Sequence, residues 1–167
     1  MSYRAVERAM GVAARTQEAV EDRLAGLQET YGSVTVNQTT ISLPDERFES
    51  VADRYAGGLV DAYVAVENGE DEVLHVAADD GLELPGTAPA ADEPLERGAR
   101  RAVEEATGVR CRIDGLREVT ITGIRNADSG ETVYRLVVVF SAEYLDGPVG
   151  ARAEWAERAV EVAPVHV

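Results

Sequence analysis

Apolar positions near the start of the chain keep a helical beat. Val6, Met10, Ala13, Val20, Leu24, Leu27 and Tyr31, with the polar Gln17 among them, recur with gaps of four and three. This heptad spacing predicts a helix over residues 4–30. Gly11 and Gly26 each weaken that helix by about 1 kcal/mol relative to alanine, so it needs a surface to lean on. That surface is either its own domain or a second copy of the chain, which would make a homodimer through residues 6–31. Tyr31-Gly32 ends the helix. SVTVNQTTISL then carries β-branched residues in partial alternation and reads as a strand. Pro44-Asp45 opens a short helix with Phe48, Val51, Ala52 and Tyr55 on one face. Gly57-Gly58 marks a boundary, giving an N-terminal extension, 1–57, and a domain, 58–167.

Beyond the boundary the period changes to two. LVDAYVAVE and EVLHVAA are strands separated by the turn signal Asn68-Gly69. LREVTITGI and TVYRLVVVFSAEYL are strands joined by RNADSGE, whose residues suit a hairpin loop. Leu136 to Phe140 are all apolar, so this strand is buried on both faces. The tail ARAEWAERAVEVAPVHV fits strand or helix. Between the two pairs of strands lies LPGTAPAADEPLERGARRAVEEATGV, residues 84–109. Pro94 suits the first turn of a helix, and Asp92 and Glu93 sit where the helix dipole favours negative charge. Leu95, Ala99, Ala102, Val103 and Ala106 form an apolar stripe, Arg101 and Glu105 are spaced to pair, and Gly108 is a natural stop. Taken together, the elements predict an α/β (α+β) chain.

The formal charge is −15 over 167 residues, and all sixteen basic residues are arginine. Such an acidic shell fits a protein adapted to molar salt, where charges are screened within about 3 Å. It argues against nucleic-acid binding, which needs a basic footprint. There is no apolar run of membrane-spanning length, and MSYRAVERAM lacks the pattern of a signal peptide. The expectation is a soluble cytoplasmic protein. The single cysteine, Cys111, excludes an intrachain disulfide and a cysteine-based zinc site.

The order strand, Leu-Pro-Gly, loop, helix ending Glu-x-x-Gly-Val resembles the Nudix hydrolases, whose box reads G-x5-E-x7-R-E-U-x-E-E-x-G-U with U a bulky aliphatic. Aligning Gly108 and Val109 with the end of the box places its arginine on Arg101, its aliphatic on Val103, one glutamate of the pair on Glu105 and the early glutamate on Glu93. The resemblance covers residues 58–160 and implies an α/β/α sandwich with a mixed sheet, to which residues 1–57 are an extension. It also implies a pyrophosphohydrolase using Mg²⁺ or Mn²⁺, with Glu93, Arg101 and Glu105 in the catalytic segment. Three positions depart. Thr87 stands where the box opens with glycine, and Ala102 and Ala106 stand where it carries glutamates. In the family those glutamates gather around the metal. Glu104 is no substitute for the first, since it lies about 200° round the helix from Ala102.

The expected function is therefore a Nudix-like domain with an eroded metal site, acting as a nucleotide-binding or regulatory module. The alternative is an active hydrolase of a nucleoside diphosphate linked to another moiety, with Glu105 and Glu143 as metal ligands. Glu131 and Glu154 rival Glu143 for that role, though in so acidic a chain a surface glutamate is the ordinary reading. His75 could act as a base or simply line the sheet. Trp155 reads as core or as a stacking surface, and Arg125 and Arg135 as anion contacts or surface ion pairs. His166 lies near the terminus.

Overall fold

The computed structural model describes residues 3–54, 60–78, 81–89 and 92–157, with side chains from residue 14 onward in the first helix and through residue 52 in the second. The elements are α1 (Tyr3–Tyr31), β1 (Val36–Leu43), α2 (Asp45–Arg54), β2 (Val60–Glu67), β3 (Glu72–Ala78), β4 (Gly81–Glu83), β5 (Gly86–Thr87), α3 (Leu95–Thr107), β6 (Arg110–Asn126), β7 (Thr132–Asp146) and β8 (Ala153–Glu157). The expected class holds. Parallel and antiparallel pairings make a mixed sheet, accompanied by helices that include the long N-terminal one. No helix among the described residues is long and apolar enough to cross a membrane.

Close packing divides the chain into two compact units. The first comprises Met1–Val60, Val119–Val137 and Pro164–Val167. In it β1 runs parallel to the second half of β6, from Val36 opposite Val119 to Leu43 opposite Asn126. α2 lays Phe48 and Val51 against Leu43 and Ile124, with Ile41, Ala52 and Val133 around them. This confirms the predicted apolar face of the helix as far as it is described; Tyr55 lies outside the described residues. Asn126 ties the hairpin to the start of α2. Its Oδ1 accepts from the backbone N–H of Asp128 and Ser129, and its Nδ2 donates to Asp45 Oδ1. The backbone N–H of Asp45 in turn donates to Asp128 Oδ2. On α1, Val20 and Leu27 are buried, and Thr16 Oγ1 accepts from the Tyr134 N–H at 3.1 Å. Val20 and Leu27 of the heptad seam are thus covered within the chain, while Gln17 is exposed. Arg135 corrects a surface reading: it is 1% exposed, within the run of buried residues that begins β7's interior.

The second unit comprises Asp61–Glu118 and Val138–Ala163. β2 is buried on both faces up to Glu67, so its residues do not alternate between core and solvent. β2 and β3 pair antiparallel across the predicted Asn68-Gly69 turn, where Asn68 Oδ1 accepts from the N–H of Glu70 and Glu72. β3 also pairs with β4 and with β8. Residues 153–157 of the ambiguous tail are therefore strand, and the rest of the tail lies outside the described residues. β6 begins at Arg110, six residues before the apolar alternation suggests. Asp114-Gly115 would ordinarily punctuate a strand. Here Gly115 gives room to Ser141, whose Oγ lies 2.9 Å from where a Cβ would stand and donates to Asp114 Oδ1 at 2.8 Å.

Candidate active site

The Leu-Pro-Gly lead-in is seated by backbone contacts. β5 pairs antiparallel with β2, Gly86 opposite Tyr63, and the Val64 N–H donates to Pro85 O at 3.0 Å. A Cβ on Gly86 would stand 2.6 Å from Tyr63 Cδ1 and 2.7 Å from Ala62 O, so only glycine passes here. Leu84 is buried beside it.

α3 follows with Pro94 as its N-cap, one residue outside the helix rather than in its first turn. Pro94 has no side-chain hydrogen bond to offer, so the dipole is met by charge, with Glu96 in the first turn. Arg101 donates to Glu93 Oε1 at 2.6 Å, joining the loop to the helix. Glu105 is the looser partner of Arg101, at 4.0 Å. Gly98 makes the tighter pair possible. A Cβ there would strike Glu93 Oε1 and come within 3.1 Å of Pro89 Cβ. The helix ends at Gly108 in the left-handed region, φ 81°, with its N–H donating to Glu104 O. Glycine is needed there twice over, because a Cβ would also stand 2.8 Å from Pro148 O. Thr107 secures the same corner. Its Oγ1 donates to Val103 O and accepts from the Val109 N–H, and its carbonyl accepts from the Gly150 N–H.

The apolar stripe holds at Leu95, Ala99 and Val103 but not at Ala102 and Ala106. The buried residues of α3 are Leu95, Gly98, Ala99, Val103 and Thr107. Ala106 is exposed and Ala102 half-buried. A wheel of hydrophobicity counts alanine as core whether or not anything covers it. Here the face carrying Ala102 and Ala106 opens to solvent toward the end of the helix. Glu105 beside them has a side chain 68% exposed.

The other candidates are dispersed. Glu143, on β7, is held by the Arg112 guanidinium and lines an acidic cleft of about 310 Å³ with Glu67, Asn68, Gly69, Asp114, Ala142 and Tyr144. Glu131 closes the hairpin through its carbonyl, which accepts from the Asn126 N–H. Glu154 is exposed on β8, opposite His75 in register. His75 is buried, with Nδ1 2.9 Å from Val73 O, which favours the lining role over a base. Trp155 meets Tyr144 edge to face at 5.6 Å and is only half-buried. Arg125 is exposed, and His166 lies outside the described residues.

Magnesium asks for near-octahedral oxygen ligation, and a two-metal clamp asks for several carboxylates together. α3 offers Glu105 beside two methyl groups, and no three His, Cys, Asp or Glu side chains among the described residues are grouped to hold a metal ion. The donors among the described residues do not fit the divalent ion that the resemblance implies. Gly98 and Thr107, which shape the segment, carry no signal in the box pattern; only the close approaches reveal them.

No family model matches the sequence, and no curated protein matches it. Among solved structures, the chain is similar to an ADP-ribose pyrophosphatase from Streptococcus suis, at 17% identity over 57% of this chain and 71% of that one, with a TM-score of 0.42. It is similar to a NUDIX hydrolase from Nitrosomonas europaea, at 21% identity over 60% of this chain and a TM-score of 0.44. The match spans 58% of that hydrolase's length. It is also similar to a UDP-X diphosphatase, at 16% identity over 91% of this chain and 81% of that one, with a TM-score of 0.47.

Proposed function

We propose that residues 84–109 form the scaffold of a Nudix-like site that has lost its metal-dependent step and now serves to bind a nucleotide-type ligand or a regulatory partner. The observation that supports this reading is the contrast within α3. Glu93–Arg101, Gly98 and the Gly108 cap hold the loop and helix in shape, while the face that should gather carboxylates presents Ala102 and Ala106. Both scaffold and loss lie on one short segment, so they are separable by experiment.

The test is turnover of a panel of nucleoside diphosphate compounds in molar KCl with Mg²⁺ or Mn²⁺. The expected result is no hydrolysis, with a rise in melting temperature for at least one compound, as binding to the folded state alone requires. Turnover that disappears in Glu105→Gln would instead establish the hydrolase reading, with Glu105 as its surviving metal ligand.

A further inference from the structure

β1 ends the strand order, with β6 on one side and no described strand on the other. The direction of its backbone groups follows from one hydrogen bond. The Ala127 N–H, just beyond β6, donates to Leu43 O. The carbonyl of Leu43 therefore faces β6. With the alternation of a strand, so do the backbone groups of Ile41, Thr39 and Asn37. Those of Val36, Gln38, Thr40 and Ser42 face away, and Asn37, Gln38, Thr40 and Ser42 are exposed.

Exposed edges usually carry charge, proline or a bulge that forbids further pairing. This one has none of them. From Ser33 to Leu43 the sequence SVTVNQTTISL holds no charged residue and no proline, in a chain of net charge −15. Its pairing with β6 runs in unbroken register over its whole length. A neutral strip on so acidic a molecule is where two copies can meet without bringing carboxylates together.

We propose that β1 is a homodimerisation edge, on which a second copy of this chain adds its own β1 in antiparallel fashion. The register is set by the backbone. An axis through Thr39, perpendicular to the sheet, pairs Val36 with Ser42 and Gln38 with Thr40. Every outward-facing residue of one strand then exchanges hydrogen bonds with an outward-facing residue of the other, and no side chain changes face. Thr39 meets its own symmetry mate at a non-hydrogen-bonded position, where side chains are closest. This edge is distinct from the α1 seam, of which Val20 and Leu27 are already covered.

The test is the solution mass of the full chain in molar KCl, by sedimentation over a range of concentrations. The expected result is a concentration-dependent species of twice the chain mass. Gln38→Pro removes an outward N–H that β6 does not use, and is expected to leave a folded monomer. Thr39→Cys is expected to give a disulfide-linked dimer on mild oxidation, and Thr40→Cys to give much less. The native chain staying a monomer at every concentration would overturn the proposal. So would a dimer that neither responds to Gln38→Pro nor crosslinks through Thr39→Cys, whether it forms along α1 or elsewhere. If Gln38→Pro does not fold, the cysteine pair decides alone.

Discussion

At the scale of single residues, the segment is governed by what small side chains leave room for. Gly98 matters for the space it gives Glu93. An alanine there would push the carboxylate away from Arg101 while raising helix propensity by about 1 kcal/mol. The ion pair is half exposed on the arginine side, so it is worth no more than about 1 kcal/mol. Gly98→Ala alone should therefore change stability little. The informative comparison is Arg101→Ala in both backgrounds. It is expected to cost up to about 1 kcal/mol in the native chain and almost nothing in the Gly98→Ala variant, as read by urea unfolding; an equal cost in both would contradict the account. Cys111 gives a pH dependence. Burial pushes its thiol up from an ordinary value of 9.0, against a smaller downward pull from Arg100. The unfolded chain then releases this proton first. The contribution is intact below about pH 9 and is lost as pH rises beyond it. Unfolding between about pH 8 and pH 10.5 should show that alkaline loss in the native chain and less of it in Cys111→Ala.

At the scale of elements, periodic segments were legible and close approaches were not. The α1 helix, the apolar face of α2 as far as it is described, the Asn68 turn and the Asn126 hairpin follow from spacing and turn chemistry, and the structure shows each of them; the side chains of Val6, Met10 and Ala13 lie outside the described residues. The short strands β4 and β5 were invisible, because a few residues cannot display a period. The early start of β6 was hidden by Asp114-Gly115, which mimics a turn. In the site, spacing offered Glu105 rather than Glu93 as the partner of Arg101, while the Gly108 stop was legible. The exposure of Ala106 was not, because hydrophobicity does not say what lies opposite. Gly86 tests how firmly β5 is seated. Its missing Cβ would strike the Ala62 carbonyl as well as the Tyr63 ring, and a main-chain atom in a buried strand yields little. Gly86→Ala is expected to destabilise the fold by about 1–3 kcal/mol in chemical denaturation. An unchanged midpoint would show that β5 is free to move.

At the scale of the whole molecule, charge and chemistry point in different directions. The chain carries 31 acidic residues against 16 basic ones, which would suit cation binding by count alone. Yet the described carboxylates are dispersed, tied to arginines such as Arg101, Arg110 and Arg112, or spread along exposed strands. High charge gives a diffuse cation atmosphere, whereas a divalent ion in a defined site needs converging oxygens. Because Ala106 is exposed and Ala102 half-buried, new carboxylates there avoid most of the desolvation penalty that a fully covered stripe would impose. The most direct measurement is therefore Mn²⁺ titration in molar KCl, where diffuse binding is screened, on the native chain and on Ala102→Glu/Ala106→Glu. No specific site is expected in the native chain, and a saturable one is expected in the folded double variant. A saturable Mn²⁺ site in the native chain that Glu105→Gln abolishes would contradict this.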